Sequence, residues 1–360
     1  FNQIVIVNSD IIGGSSSATL SGSIGSGLVK DTFVISNVSG KDTVGGMIGF
    51  AQGVQIANSF SSSEVTSEGT AGGLIGMSYD EPSTCENSAS VGNVTGGSQV
   101  GGLAGMFYGS VIMSYSIGNV TIDEYGVSNA QAGGLIGGNY SEASQILDSY
   151  SIGNVTGGSL VGGLVGYNQG NKIANSYSKG NITGKEYVGG LAGWMFNFNY
   201  NGEISNSYSE GTVTSEYHAG GLIAGFSGLK VIDSYSKGDV TGNNNAGGLI
   251  ADVHQKGTIE NTYSIGNVTG GDVAGGLIGH NYKGAISKSH SIGNVTGGNV
   301  VGGLVGSNYG GGEIIKSYSK GSVTGDGEAA GGLVGNNYAN EPITDSYFEG
   351  DVTGIEKVGG

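Results

Sequence analysis

The side chains that could do acid–base or metal chemistry are few in this sequence and stand apart from one another. No histidine lies in an H-E-x-x-H segment, and none has a second histidine four residues further on. This spacing does not indicate a zinc site of the metalloprotease kind. We therefore interpret the histidines as isolated surface residues and expect no metal site. They are His218, His254, His280 and His290.

The carboxylates are dispersed as well. Cleavage of polysaccharides requires carboxyl groups clustered on one face, whereas the acidic pairs at positions 80–81 and 123–124 lie in separate segments. The single cysteine, Cys85, falls at a position that is apolar in every repeat. This favours a small buried hydrophobic residue over a nucleophile or a metal ligand. We predict no catalytic residue, no cofactor and no enzymatic activity.

Around these residues, nearly the whole chain repeats one phrase. The first glycine of an x-G-G triplet recurs every 27 to 32 residues. Short runs rich in Val, Ile, Thr and Tyr alternate with Gly, Asn, Asp and Ser, which is typical of strands and turns. The recurring glycines are Gly45, Gly72, Gly101, Gly133, Gly162, Gly189, Gly220, Gly247, Gly275, Gly302, Gly331 and Gly359.

A unit of this length cannot bury its own apolar face, but stacked copies can. The repeat therefore predicts an all-β fold, a parallel β-solenoid with rungs of about 28 residues and roughly three short strands in each rung. Each strand would pair with its equivalent one rung away at about 4.8 Å, so that about eleven rungs make a rod roughly 50 Å long.

Positions that are apolar in every repeat must face the interior of such a solenoid. Ile173 and Ile204 belong to one apolar column, and Val155 belongs to another. Ser176 and Ser178 alternate with outward positions, as the inward Val does, so we place these hydroxyl groups inside. There they can form hydrogen bonds along the stack and allow the backbones to approach closely.

Leu164 and Val165 pose a separate problem because both belong to columns that are apolar throughout. Adjacent residues of a strand point to opposite faces. Either the preceding pair of glycines bends the chain so that both side chains face inward, or one apolar column forms a stripe on the surface. We favour the bend.

The outward positions carry a tyrosine column and, beside it, a column of mixed character. Lys179, Glu210 and Lys237 occupy one position in three successive repeats. Alternating charges are expected where side chains of neighbouring rungs touch along a ladder. The order of these residues therefore indicates strands in register, with this face in solvent.

The phrase G-G-L-V/I-G, followed by I-x-N/D-S-Y-S-x-G-N-V-T-G, resembles the GLUG-motif repeat of bacterial and archaeal surface proteins. Val161–Gly166 with Ile173–Gly184 carry it, as do Val301–Gly306 with Ile314–Gly325. The resemblance implies an exported, cell-surface repeat region, found in adhesin-like proteins and beside the peptidase domains of some immunoglobulin A peptidases. It implies no catalytic residues.

The repeats divide the chain into two parts. Residues 44–360 form the GLUG-repeat solenoid of about eleven rungs. Residues 1–43 fit the pattern poorly, and we interpret them as a degenerate first rung and an N-terminal cap over an otherwise open sheet edge. The last residues repeat the phrase without a cap. We therefore expect the chain to be a piece of a longer protein that continues, or stacks on a partner, beyond residue 360.

Charge and hydropathy narrow the range of partners. The net charge is −16, and the chain contains no arginine. The basic surface that nucleic acids require is therefore absent from the sequence. No apolar run approaches the roughly 20 residues of a membrane-spanning helix. We expect no nucleic-acid partner and no membrane insertion.

Two functions remain. The first is a non-enzymatic structural or adhesive rod of a microbial cell surface, either an adhesin stalk or an extracellular filament subunit, with end-to-end or lateral self-association. The alternative is an extracellular module that binds host or microbial glycans through exposed tyrosines and an aromatic loop, unless the stacked aromatic rings only stabilise the rungs. The candidate surface consists of Tyr150, Tyr177, Tyr208, Tyr235, Tyr263, Trp194, Phe196 and Phe198.

Overall fold

The computed structural model describes residues 1–123, 129–170, 172–196 and 201–360, with only the backbone described at Asn8. The chain divides into two compact units, Phe1–Asn181 and Ile182–Gly360. The described residues of both units form short strands joined by turns, without a helix. Within each unit, successive strands of each sheet are parallel and come from successive repeats.

One rung passes through four sheets in a fixed order. In a representative rung, Ala89–Val91 and Val94–Gly96 belong to sheet 1, Gln99–Gly101 to sheet 2, Ala104–Phe107 to sheet 3, and Gly109–Ile112 to sheet 4. Sheet 1 carries the S-Y-S-x-G-N-V-T-G phrase. The x-G-G-L segment separates sheet 2 from sheet 3.

The first unit has the following strands. Those of sheet 1 are Val5–Ile12, Phe33–Gly40, Phe60–Ser67, Ala89–Val91, Val94–Gly96, Tyr115–Ile117, Val120–Ile122, Tyr150–Ile152, Val155–Thr156 and Tyr177–Lys179. Those of sheet 2 are Ser16–Ala18, Thr43–Gly45, Thr70–Gly72, Gln99–Gly101, Gln131–Gly133 and Leu160–Gly162. Those of sheet 3 are Ser21–Ile24, Ile48–Ala51, Ile75–Ser78, Ala104–Phe107, Ile136–Asn139 and Val165–Asn168. Those of sheet 4 are Gly27–Lys30, Val54–Ala57, Ser83–Glu86, Gly109–Ile112, Gln145–Leu147 and Lys172–Ala174.

The second unit repeats the same order. Its strands in sheet 1 are Ile182–Gly184, Tyr208–Glu210, Val213–Ser215, Tyr235–Lys237, Val240–Gly242, Tyr263–Ile265, Val268–Gly270, His290–Ile292, Val295–Gly297, Tyr318–Lys320, Val323–Gly325, Tyr347–Glu349 and Val352–Gly354. In sheet 2 they are Tyr187–Gly189, His218–Gly220, Asn245–Gly247, Val273–Gly275, Val300–Gly302, Ala329–Gly331 and Lys357–Gly359. In sheet 3 they are Ala192–Phe196, Ile223–Ser227, Ile250–Val253, Ile278–Tyr282, Val305–Tyr309 and Val334–Tyr338. In sheet 4 they are Gly202–Ser205, Leu229–Ile232, Gly257–Glu260, Gly284–Ser287, Ile314–Ile315 and Ile343–Thr344.

Equivalent residues of neighbouring rungs lie opposite one another. In the first unit Ile146 pairs with Ile173, and in the second Val240 pairs with Val268. The predicted parallel β-solenoid with rungs of about 28 residues is therefore confirmed. Residues 1–43 also supply strands to all four sheets, and Val5–Ile12 pairs with Phe33–Gly40 across one register shift. That this segment acts as a cap stays a prediction.

The apolar columns fill the interior, as predicted. Val155 and Ile173 are fully buried, and so is Cys85 in the same column as Ile173. Leu164 and Val165 are each 0% exposed, which confirms that the glycine pair bends the chain and turns both side chains inward. Each such side chain contributes roughly 1.5–3 kcal/mol when buried.

The bend needs glycine because no side chain fits there. A Cβ atom at Gly133 would overlap the carbonyl oxygen of Ile136, where the chain folds back on itself. A Cβ atom at Gly134 would overlap the carbonyl oxygen of Gly163 in the next rung, and one at Gly137 would overlap that of Gly105 in the preceding rung. The three glycines of G-G-L-x-G are therefore fixed by space and not by backbone dihedral angles.

The inward serines hold the rungs together. Ser176 is buried, and its Oγ accepts a hydrogen bond of 3.1 Å from the backbone N–H of Ser149 in the preceding rung. Ser151 reaches across its own rung, and its Oγ donates to the carbonyl oxygen of Gly163 at 2.5 Å. Small hydroxyl groups thus satisfy backbone groups at the bend that the ladder leaves free.

Two turns explain the glycine and the asparagines that recur in the repeated phrase. In G-N-V-T, Gly118 has φ +145°, and the Oδ1 of Asn93 accepts a hydrogen bond of 2.9 Å from the backbone N–H of Asn119 one rung on. In the turn before S-Y-S, Asn175 has φ +51°, a left-handed conformation that Asn tolerates well. Its Nδ2 donates to Oδ1 of Asp148 at 2.9 Å. The asparagines therefore have structural roles.

Candidate functional site

The tyrosine column of sheet 1 forms a stack of parallel rings. In the first unit the ring centroids of Tyr115 and Tyr150 are 4.9 Å apart with planes inclined by 1°, and Tyr150 and Tyr177 have the same geometry. Burial raises the pKa of Tyr150, and the neighbouring phenols of Tyr115 and Tyr177 raise it further. The ring faces therefore contact one another, while their edges face solvent.

The second unit has the same stack. Tyr208 and Tyr235 are 4.8 Å apart, as are Tyr235 and Tyr263. His290 replaces a tyrosine, as the sequence predicted, and its ring lies 5.2 Å from Tyr263 and 4.6 Å from Tyr318. The predicted tyrosines of this unit thus lie in one ladder, in which their faces cover each other.

The charged column runs beside the ladder. Lys237 Nζ lies 4.0 Å from Oε1 of Glu210 and 4.9 Å from the centroid of the Tyr235 ring. Lys320 Nζ lies 2.8 Å from Oε2 of Glu349 in the same column. At these two places neighbouring rungs of this unit carry opposite charges, as predicted, although exposed pairs of this kind contribute only about 0–1 kcal/mol each.

The aromatic segment at positions 194–200 begins as a strand. Trp194 and Phe196 lie in Ala192–Phe196 of sheet 3, with Met195 between them almost fully buried. Trp194 is partly buried and contacts the Tyr187 ring edge-on, with centroids 4.7 Å apart. Phe198 lies outside the described residues, so the predicted aromatic loop is represented here by Trp194 and Phe196.

Trp194 lies on a surface whose residue types differ from repeat to repeat. At the bend, the first residue of each sheet 2 strand faces the third residue of the following sheet 3 strand, seven positions later. We call these two columns the corner. In the second unit they contain Tyr187 and Trp194, His218 and Gly225, Asn245 and Asp252, and Val273 and His280. The residue types differ from rung to rung, in contrast to the uniform ladder of sheet 1.

A contact between a histidine and a buried carboxyl group lies at the centre of the corner. Asp252 is 2% exposed, and its Oδ2 is 2.7 Å from Nδ1 of His218 in the preceding rung. The other carboxylate oxygen, Oδ1, accepts a hydrogen bond of 2.5 Å from Nδ2 of Asn245. Burying a carboxylate is costly unless it has such partners.

Aromatic rings surround this contact. The Tyr187 ring stacks on the His218 ring with centroids 4.6 Å apart and planes inclined by 7°. Trp194 lies 4.9 Å from the His254 ring, and a Cβ atom at Gly225 would overlap the Trp194 ring. Gly225 therefore leaves the space that Trp194 fills.

Burial and charge set the protonation of the corner. Burial lowers the pKa of both His254 and His280, while nearby Asp252 acts in the opposite direction on each. Burial also raises the pKa of Tyr187, and the carboxylates of Asp252 and Glu186 raise it further. At neutral pH these three side chains are therefore predominantly uncharged and present ring nitrogens and a phenol for hydrogen bonding.

The interpretation of the histidines as isolated was wrong for three of the four. His218 pairs with Asp252, His254 contacts Trp194, and Asp252 and His280 are register partners in sheet 3. The signal in the sequence was the seven-residue spacing across G-G, which relates Asn245 to Asp252. It has meaning only once the direction of the bend is known.

Two further observations bear on chemistry. Among residues 1–123, 129–170, 172–196 and 201–360, no group of three or more His, Cys, Asp or Glu side chains is arranged to hold a metal ion. Cys85 is buried as predicted, and burial raises the pKa of its thiol to about 12, a shift that hydrogen bonds from Ser114 and Ser88 partly oppose. The same described segments contain no helix with the length and apolar character needed to cross a bilayer.

Comparison with known proteins identifies the repeat. The family model described as the GLUG motif matches residues 157–183, 184–214, 297–324 and 326–353. Each matched segment is about one repeat long. It begins near the end of one N-V-T strand and ends near the equivalent strand of the next repeat. No significant match was found among curated proteins or among solved structures.

Proposed function

Because four segments of this chain match the GLUG motif, we propose that it is a non-enzymatic structural or adhesive region displayed on a microbial cell surface. In this role it serves as an adhesin stalk or as a subunit of an extracellular filament. The observation that carries the proposal is the constancy of the rung. Within each unit the same side chains meet the same partners in repeat after repeat.

Such constancy suits a structural element. In the first unit, Tyr150 has equivalent rings on both sides, 4.9 Å away in each case. Stability in a stacked repeat is roughly a sum of identical rung and interface terms, so length can grow without a new core. A repeated surface also presents the same group at regular intervals, which favours many weak contacts acting together.

The outward face of sheet 1 supports contact with other surfaces. Ile117 and Ile152 are exposed to the same degree in the first unit, and Ile265 and Ile292 match them in the second. Exposed apolar side chains repeated at one position offer a contact strip for another copy or another surface. The lysines and glutamates of the same column limit the length of each strip.

The tyrosine ladder gives less support to glycan binding. A sugar ring stacks on a free aromatic face, whereas the faces of Tyr150 and Tyr235 contact their neighbours on both sides. Stacked pairs of this kind contribute about 0.5–1.5 kcal/mol each to stability. The geometry therefore favours a structural role for the ladder.

The proposal can be tested on the organism that produces the chain. Intact cells would be treated with an external protease and then probed with an antibody to the chain, with a cytosolic enzyme as the control. We expect the repeat region to be digested while the control survives, and a deletion strain to lose adhesion or surface filaments. Protection of the chain in intact cells, or unchanged adhesion and surface morphology in the deletion strain, would contradict the proposal.

A further inference from the structure

A cavity of about 290 Å³ opens beside the corner of the second unit. It is lined by Lys185, Glu186, Tyr187, Tyr217 and His218. These residues belong to two equivalent turns, one rung apart. The backbone N–H of Tyr217 donates to the carbonyl oxygen of Lys185 at 3.0 Å, and that of His218 donates to the carbonyl oxygen of Glu186 at 2.8 Å. The backbone ladder therefore fixes the spacing of the two turns.

One wall of the cavity is held rigidly. The stacked rings of Tyr187 and His218 form it, and His218 is anchored by its contact with the buried Asp252. The edge of Trp194 packs against Tyr187. Side chains locked by packing and by a buried partner are typical of a preorganised binding site.

The other side offers an exposed aromatic ring. Tyr217 is 43% exposed and, among the described residues, has no ring contact. It differs in this respect from Tyr150 and Tyr235, whose faces are covered. An exposed aromatic ring that has no stacked neighbour is suited to stack on a ligand.

Polar groups of both kinds flank this ring. Within the described part of the chain, the side chains of Lys185 and Glu186 have no hydrogen-bond or ion-pair partner. The Lys185 ammonium only donates, and the Glu186 carboxylate only accepts. A cationic ligand would need acceptors alone, and an anionic ligand would need donors alone. A hydroxyl group both donates and accepts, so a ligand bearing several hydroxyl groups matches this set.

We propose that the cavity lined by Lys185, Glu186, Tyr187, Tyr217 and His218 binds one neutral sugar ring of a glycan. The sugar stacks on Tyr217, and its hydroxyl groups bond to Lys185, Glu186 and the free ring nitrogen of His218. The volume suits a single ring, since it lies at the lower limit of small-molecule sites. This site is separate from the tyrosine ladder and does not depend on a structural role for the repeats.

The test uses the full chain and saturation-transfer-difference NMR. The probes are the methyl glycosides of glucose, galactose, mannose and N-acetylglucosamine, with tetramethylammonium as a cationic probe. We expect transfer to at least one glycoside, its loss in Tyr217→Ala, and at least roughly a ten-fold weaker affinity in Glu186→Gln, which replaces a charged acceptor. Tyr79→Ala is the matched control, because Tyr79 is 46% exposed and lies in the other unit.

Three results would overturn the proposal. The first is no transfer to any of the four glycosides in the wild-type chain. The second is transfer that Tyr217→Ala and Tyr79→Ala reduce equally. The third is Tyr217-dependent transfer to tetramethylammonium alone, which would make the cavity a cation site. Circular dichroism of each variant verifies that the strands remain folded, and Tyr217→Phe, which keeps the ring, provides a second readout and is expected to retain binding.

Discussion

Asp252 Oδ2 lies 2.7 Å from Nδ1 of His218. At the position of Asp252 in the strand, the preceding rung has Gly225 and the following rung has His280. The carboxylate is 2% exposed and also accepts a hydrogen bond from Asn245. A buried carboxylate with two partners in different strands ties two rungs together through side chains. In the uniform columns of sheet 1, neighbouring rungs of the second unit instead meet through stacked rings and exposed charge pairs.

Replacement of this carboxylate should destabilise the second unit. Asp252→Ala removes the contact with His218 Nδ1 and leaves Asn245 Nδ2 without its acceptor, and a buried polar group left unsatisfied costs about 1–3 kcal/mol. Urea unfolding measures the change. Asp272→Ala is the matched control, because Asp272 also accepts one amide hydrogen bond, at 3.1 Å, but is exposed. We expect the control to change stability by less than about 0.5 kcal/mol, and equal effects of the two variants would contradict this view of Asp252.

The bend provides a second prediction. Gly133→Ala places a methyl group against the carbonyl oxygen of Ile136, which cannot move without displacing the strand. Overpacking of this kind costs about 1–3 kcal/mol or more. Gly25→Ala is the control, since a Cβ atom there would have no neighbour within 4 Å. We expect the midpoint temperature of thermal unfolding to be lower for Gly133→Ala than for Gly25→Ala. Equal midpoint temperatures for the two variants would show that the bend tolerates a side chain.

The tyrosine ladder provides a third prediction. Tyr150→Ala removes two stacked ring pairs, with an expected loss of about 1–3 kcal/mol beyond the buried area. Tyr150→Phe keeps both pairs and should unfold at nearly the wild-type urea concentration. Tyr79→Ala removes an exposed tyrosine outside the ladder and should cost less. If Tyr150→Ala and Tyr79→Ala were equally stable, the stack would contribute nothing to the fold.

A decrease in pH from neutrality should destabilise the second unit before the pH reaches the range in which carboxyl groups titrate. Burial lowers the pKa of His254, His280 and His290 below their ordinary value of 6.5. The unfolded chain therefore takes up protons at a higher pH than the folded chain, and stability falls as the pH decreases through about 6.5, levelling off below the folded pKa values. Melting temperatures measured between about pH 7.5 and 5.5 test this sign.

A triple variant with glutamine at these three positions should show a flatter pH profile over the same range. A melting temperature that rises as the pH falls from neutrality would contradict the direction of the shifts.

Cys85 should be chemically silent in the folded chain. Its thiol is buried, and burial raises its pKa to about 12, so little thiolate forms at mildly alkaline pH. We expect no reaction with Ellman's reagent in buffer and full reaction of one thiol in concentrated urea. Fast labelling of the native chain would mean that the column around Cys85 opens readily.

The fold could be predicted from the sequence because each buried position recurs at a fixed interval. Ile173 and Val155 are apolar in every repeat, and the period of about 28 residues relates each to its stacked partner. Even the alternation of Glu210 with Lys237 was visible, since ladder partners share one place in the phrase. The periodicity encodes neighbours along the stack directly.

The corner could not be predicted in this way. His218 and Asp252 stand at different places in the phrase and in different rungs, so no column of the repeat relates them. Their contact depends on the inward turn at the glycine pair, which brings the outer faces of sheets 2 and 3 toward each other. The cavity beside Tyr217 was hidden for the same reason, because its lining residues vary from repeat to repeat.

The glycines at the bend also bear on how the gene can change. Since Gly134 and Gly137 press against the backbones of the rungs on either side, a deletion that removes part of a repeat would bring a side chain into that space. Loss or duplication of one complete repeat instead rejoins equivalent backbones and leaves every column in phase. Recombination between copies can therefore lengthen or shorten this chain in whole-repeat steps, and variants that differ in repeat number are expected to share one fold.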